Sequence, residues 1–212
     1  SETVNRLYEN IEFLVENNIN DIVAVSCQDI KWKPSDFNIL KSQIETIGKL
    51  YIKKIEEGRP FIYRSFNNCI ENTLKGLIKK RCDAVIGEIA ILPDGKILPC
   101  GGFVGCNNEE NFYIGDIDNG IYEDKAKFYL QSEKPLDNKE CRECLLFNRC
   151  QNDCFAVNNR INNNILTIDE TRCNTSQLEI IESDKILDYF LRNKNKEFYY
   201  IFSDYLREDY LS

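Results

Sequence analysis

Cysteine spacing constrains this 212-residue chain more than any other feature. Cys82 is followed by twelve residues, Gly95, four residues and Cys100; then come Cys141-x2-Cys144-x5-Cys150-x3-Cys154 and, after a further gap, Cys173. The stretch CRECLLFNRCQNDC puts four thiols into fourteen residues. Thiols at that density form disulfides, a zinc site, or the ligand set of an iron–sulfur cluster. The N-terminal SETVNRLYENIEF has neither a basic n-region nor an apolar h-region, so no secretory signal is legible. A reducing, cytoplasmic location is therefore expected, where dense thiols hold metal in preference to forming disulfides.

A Cys-x2-Cys pair presents two thiolates to one centre, because a tight turn brings their sulfurs together. Cys150, six residues after Cys144, can reach the same centre. A fourth ligand as close behind as Cys154 would crowd it and is better placed for another. Seven cysteines exceed one tetrahedral zinc and fall short of two complete four-cysteine sites. Two clusters, one short of a cysteine ligand, account for the number; structural zinc is the alternative.

The rest of the composition removes other chemistries. The chain has no histidine, so it cannot build a Cys/His finger, a Ser–His triad or a histidine base. A net charge of −8 opposes nucleic acid as the main partner, since a duplex binder needs a basic face. The basic cluster Lys79-Lys80-Arg81 is short and reads as solvated surface. No run approaches the roughly 20 apolar residues that cross a bilayer, so no membrane partner is expected. There is also no methionine, which suggests a fragment or a removed initiator before Ser1.

Periodicity predicts an α+β chain. Val4, Leu7, Ile11 and Leu14 mark a helix over 2–17, and Ile22–Val25 is an apolar run of the kind found in parallel strands buried on both faces. Phe37, Leu40, Ile44, Ile47 and Tyr51 mark a long helix, with Ser35 or Asp36 as cap and Gly58 as stop. Such a helix–strand–helix unit is one repeat of an α/β layer or barrel, and one repeat cannot close a barrel, so the segment reads as the tail of a larger α/β domain. A further helix is predicted from Asn67 to Lys80. Beyond Cys82, Pro93-Asp94-Gly95 is hairpin-turn chemistry between AVIGEIAIL and KILPC, followed by the glycine-rich GGFVGC and a short strand over 111–114. A helix and a polar loop fill 121–140, an Asn-rich loop spans 158–164, and helices follow from Asn174 and around Glu197–Leu206. The corresponding blocks are 1–60 (end of a barrel), 61–81 (linker helix), 82–175 (cysteine-rich domain) and 176–212 (C-terminal helices).

The spacing of all seven cysteines and Gly95 resembles the SPASM domain, the C-terminal extension of radical SAM enzymes that modify peptides and proteins. The resemblance covers residues 82–173, and IYEDKAKFYLQ and the helix after Cys173 also stand where the family has them. It implies two auxiliary [4Fe–4S] clusters with interleaved ligands. Cys82, Cys100 and Cys154 would hold the first; Cys141, Cys144, Cys150 and Cys173 would hold the second. Some members complete the first with a cysteine upstream, where this chain has Gly76. Cys106 is the first candidate to replace that ligand and Cys69 the second; otherwise one iron stays open. The resemblance further implies a peptide or protein substrate and an electron donor such as flavodoxin or ferredoxin.

One departure limits what the chain does alone. Radical SAM chemistry needs Cys-x3-Cys-x2-Cys for the cluster that chelates S-adenosylmethionine. The nearest approach is Cys150-x3-Cys154, with Val157 at the third position. S-adenosylmethionine and a third [4Fe–4S] cluster are thus expected only in a longer parent. Cys27, at the end of the apolar run, reads as an inert thiol, although a barrel strand's C-terminal end is where active sites form. Gly101 and Gly102 leave backbone N–H groups able to approach the sulfurs of the first cluster.

Overall fold

Two units make up the chain in the computed structural model, which describes residues 3–27, 32–76, 82–131, 141, 143–150 and 154–206. The first gathers residues 1–79, 148–150 and 170–212; the second gathers 80–147 and 151–169. Helices and small sheets occur together, an α+β fold.

In the first unit, helix α1 (Leu7–Glu16) follows a short 3-10 turn and buries Ile11 and Val15 on one face. Strand β1 (Asp21–Ile22) pairs in parallel with β2 (Ile62–Tyr63), Asp21 opposite Ile62 and Ile22 opposite Tyr63. The parallel pairing was expected, but burial on both faces was not found. Side chains alternate along an extended segment. Ile22 turns to the core, whereas Val23 and Val25 are 68% and 72% exposed.

Helix α2 (Pro34–Glu56) starts two residues before its expected first turn. Pro34 suits the first helical position, because its missing N–H would have no intrahelical partner there. Asp36 then reaches back, and its carboxylate accepts from the Lys33 N–H at 2.9 Å. Leu40, Ile44, Ile47, Tyr51 and Ile55 line the buried stripe. Each such side chain stabilises by roughly 1.5–3 kcal/mol. Lys54, also buried, is offset by an ion pair with Glu16 at 2.6 Å.

Helix α3 (Arg64–Leu74) begins earlier than its apolar pattern suggests. Asn67 lies inside it, and its side-chain oxygen accepts from the Tyr63 N–H at 3.1 Å and the Tyr51 hydroxyl at 3.2 Å. The helix ends at Leu74, with Gly76 at φ +86°, short of the predicted Lys80; residues 77–80 lie outside the described ones.

Against α2 and α3 packs helix α6 (Glu170–Asn193). A β-carbon on Gly48 would collide with the Glu182 side chain, so glycine lets α2 and α6 approach. Helix α7 (Lys196–Ile201) closes the unit, with Asn195 capping through the Phe198 N–H at 3.0 Å and Phe198 stacked on Phe190. Arg149 joins this unit by donating to Asp184 at 2.7 Å and to Thr73 at 2.8 Å.

In the second unit, strands β3 (Ala90–Ile91), β4 (Lys96–Leu98), β5 (Gly115–Asp116) and β6 (Gly120–Ile121) form an antiparallel sheet in chain order. The Pro93-Asp94-Gly95 turn is in place, with Gly95 at φ +86° and its N–H on Leu92 O at 2.9 Å. A side chain there would also strike Ile117. The strand expected over 111–114 is instead a 3-10 turn, Glu109–Phe112, entered from Asn108 in the left-handed region. Pairing starts just after it, at Gly115.

Helix α4 (Glu123–Gln131) fits the expected helix, while 132–140 lie outside the described residues. Helix α5 (Phe155–Asn162) corrects the reading of 158–164 as a loop. Its amide side chains are used in tertiary contacts, and the run ends at Asn163 in the left-handed conformation. Helix α6 likewise starts at Glu170 and not at Asn174; Asn174 and Thr175 hydrogen-bond to carbonyls four residues back. That start sets Cys173 in its first turn.

Candidate metal centre

Four of the candidate ligands share the core of the second unit. Cys100 and Cys106 are buried at 7% and 8% exposure, among Ala84, Ile97, Leu98, Phe103, Ile114, Tyr129, Phe155 and Ala156, with Cys82 and Cys154 packed against them. Strand β4 delivers Cys100 two residues past its end. The Val85 N–H lies 2.9 Å from both Pro99 O and Glu88 O, folding the segment after Cys82 onto the approach to Cys100. Cys154 occupies the N-cap of α5. Cys106 ends a loop of 3-10 and turn geometry that begins at Gly101.

The electrostatics of this group favour a cation. Burial pushes the Cys100 thiol up to about 11, and the charges of Glu88, Cys154 and Cys82 push in the same direction. A hydrogen bond from the Gly102 backbone to its sulfur pulls the other way. Glycine is required at 102, since a β-carbon would stand 2.8 Å from that of Ala156 and 3.4 Å from the Cys100 sulfur. Burial likewise raises Cys106, opposed first by a hydrogen bond from Asn159. A buried thiolate such as Cys100, raised by its neighbours, is unfavourable unless positive charge lies beside it, and a coordinated metal centre would supply that charge.

The donor set therefore suits thiolate-ligated metal. All ten cysteines are thiols, none in a disulfide. Among the described residues no three Cys, Asp or Glu side chains converge tightly enough to hold a single ion.

The other candidates are distributed differently. Cys141 and Cys144 belong to the second unit, with the Cys144 N–H on Cys141 O at 3.2 Å closing the tight turn expected of Cys-x2-Cys. Cys150 and Cys173 belong to the first unit, and Gln177 donates to the Cys173 sulfur at 3.3 Å. Cys69 also lies in the first unit, on α3; burial pushes its thiol up to about 12, and Ser183 hydrogen-bonds to it. Cys27 is exposed and lines a cleft of about 190 Å³ with Trp32, Tyr63, Thr175 and Glu179. Burial pushes the Glu179 carboxyl up to about 7, with Ser65 and Arg172 pulling it down.

Three residues of the centre were not legible beforehand. Tyr129 lies edge-on to Phe103 and Phe155, and its hydroxyl is raised by burial and then by Cys100, Cys82 and Cys106. Asn159 and Arg160 reach the Cys106 loop from α5. Tyr129 carried a faint signal, since it stands in the segment that resembles the family. Asn159 and Arg160 carried none, because their stretch reads as loop.

No protein-family model matches this sequence, and no curated protein is significantly similar to it. Among solved structures, the fold is similar to native anSMEcpe with bound AdoMet and Kp18Cys peptide, an anaerobic sulfatase-maturating radical SAM enzyme. The TM-score is 0.61 at 15% identity, over 91% of this chain and 55% of that one. The chain thus spans about half the length of that enzyme, and at this identity the likeness is one of fold alone.

Proposed function

We propose that the chain is the auxiliary-cluster, SPASM-containing part of a radical SAM enzyme that modifies a peptide or protein. In this reading Cys82, Cys100 and Cys154 hold the first [4Fe–4S] cluster, with Cys106 as its fourth ligand. Cys141, Cys144, Cys150 and Cys173 hold the second. Residues 1–60 are the end of the preceding partial barrel, and the exposed Val23 and Val25 suit a sheet face covered by further structure in a longer chain. S-adenosylmethionine and its own cluster belong to that longer protein, because Cys-x3-Cys-x2-Cys does not occur here.

The observation that carries the reading is the company Cys154 keeps. It shares a core with Cys82 and Cys100, residues far away in sequence. Interleaved ligation calls for that grouping, whereas a single local zinc knot over 141–154 would not draw Cys154 to Cys82 and Cys100. The fold likeness to an enzyme solved with a bound peptide agrees with a peptide or protein substrate.

Bound by these thiolates, a [4Fe–4S] cluster supplies one-electron redox capacity. The chain's own groups set how it is used. The Gly102 N–H donates to the Cys100 sulfur and stabilises added electron density there. Phe103, Phe155 and Ala156 exclude water from the same side. The second set, partly buried, suits electron exchange with a donor such as flavodoxin or ferredoxin. Cytoplasmic, anaerobic handling follows from oxygen-sensitive clusters on reduced thiols.

Anaerobic reconstitution tests the proposal. About eight irons with matching sulfide per chain are expected for two four-iron clusters. Stoichiometric zinc without sulfide, in protein prepared without oxygen, would replace the reading with a zinc-stabilised peptide- or protein-binding module.

A further inference from the structure

Helix α5 holds the Cys106 loop at three backbone carbonyls. Arg160 donates from Nε and Nη2 to Gly102 O at 3.1 and 3.0 Å, and from Nη2 to Val104 O at 2.9 Å. Its neighbour Asn159 donates to Asn107 O at 3.4 Å. The carbonyls at 102, 104 and 107 flank Cys106 on both sides.

That loop needs such anchoring. It contains Gly101, Gly102 and Gly105, the last at φ +71°. Glycine gives up more conformational freedom on ordering than any other residue, so a glycine-rich segment stays in one place only where contacts hold it. The Cys106 N–H on Phe103 O at 3.1 Å and the Gly105 N–H on Glu109 Oε2 at 2.5 Å shape the loop internally. Neither ties it to the elements that carry Cys82, Cys100 or Cys154. Arg160 and Asn159 do, because the helix they stand on has Cys154 as its N-cap. One short rigid element thus carries one ligand directly and steers a second about two turns later.

We propose that Asn159 and Arg160 are positioning residues that keep Cys106 in the coordination sphere formed with Cys82, Cys100 and Cys154, and so decide whether the first cluster is closed or has an exchangeable iron. The inference rests on the reading of Cys106 as fourth ligand. It extends that reading by assigning control of the site to two side chains that touch neither iron nor substrate. Were the clamp loosened, Cys106 would be free to leave a cluster held by the other three thiolates, its place at iron going to an external ligand and its thiolate taking up a proton from water. Iron and sulfide keep their oxidation states throughout.

The test uses the anaerobically reconstituted chain, reduced with dithionite and exposed to 13C-cyanide, with electron paramagnetic resonance reading 13C coupling at iron. The wild-type chain is expected to show no coupling and Cys106→Ala a clear one. Arg160→Ala is expected to show coupling at full iron content, and Arg160→Lys, which keeps one carbonyl contact, a weaker one. Arg160 is exposed, so its loss leaves the core intact; should Arg160→Ala lose iron altogether, the Lys variant and Asn159→Leu answer the same question. Coupling in Cys106→Ala but in none of the iron-loaded clamp variants overturns the positioning role and leaves Cys106 as ligand. Coupling already in the wild type, or none in Cys106→Ala, removes Cys106 from the ligand set and the inference with it.

Discussion

The two units reach stability by different means. The first has helices of ten residues and more whose apolar stripes meet in one core, from Val4 through Tyr51 and Phe66 to Phe202. The second has strands of two or three residues and a smaller core in which Cys100 and Cys106 take positions that Leu or Ile would fill in an ordinary domain. The first core packs without a buried cysteine. In the second, cysteines take core positions, and on the proposed reading metal binding there becomes folding free energy.

Removing metal should break this comparison most visibly. Structural thiolate sites contribute on the order of 10 kcal/mol. Chelated protein, followed by hydrogen exchange, should therefore lose amide protection over 82–106 and 155–162 while α2 and α3 stay protected. Uniform protection before and after chelation would mean that the second unit folds on packing alone.

A core truncation in the first unit should do the converse. Phe198 is fully buried between Phe190 and Phe202. Phe198→Ala should cost about 3–5 kcal/mol in denaturant titration and leave the cluster absorbance unchanged at native concentrations of denaturant.

The two units should also respond oppositely to pH. Glu179 in the first unit has its carboxyl raised to about 7 by burial, above an unfolded value near 4.3. The native state therefore binds the proton more tightly, and this contribution, complete below about pH 4, fades as pH rises to 7. The loss is about 3–4 kcal/mol. Thiolate ligation in the second unit strengthens over the same range, because ligands must shed protons. Glu179→Gln should flatten the first unit's profile between pH 5 and 8 in denaturant titrations; an unchanged slope would assign it to other groups.

A smaller effect sharpens the picture of the centre. Tyr129, protonated at neutral pH, stands among Cys100, Cys82 and Cys106. If its hydroxyl donates to the sulfurs, Tyr129→Phe removes roughly 1 kcal/mol from the reduced state. That lowers the first cluster's potential by about 40 mV for one electron. A potentiometric titration showing no shift would give Tyr129 a packing role only.

Legibility in the sequence follows the same division. Leu40 to Ile55 repeat with helical period and are found on one buried stripe, and Pro93-Asp94-Gly95 specifies its turn locally. Both are determined by near neighbours. The Ile22–Val25 run was misread because apolar composition does not say how many faces are covered. The helix over 155–162 was hidden by Asn158, Asn159 and Asn162, poor helix formers whose amides bond to Ile165, Asn107 and Thr167 carbonyls. For the site, spacing marked the thiols, while Tyr129, Asn159 and Arg160 depend on tertiary contacts that no spacing encodes.

Ligand variants read by electron paramagnetic resonance test the central claim most directly. Cys154 should belong to the centre of Cys82 and Cys100 and Cys150 to the other. Cys154→Ala should therefore perturb the same reduced-cluster signal as Cys100→Ala, and Cys150→Ala the signal altered by Cys144→Ala. If Cys154→Ala and Cys150→Ala alter one and the same signal, the thiols of 141–154 form a single site and the interleaved account is wrong.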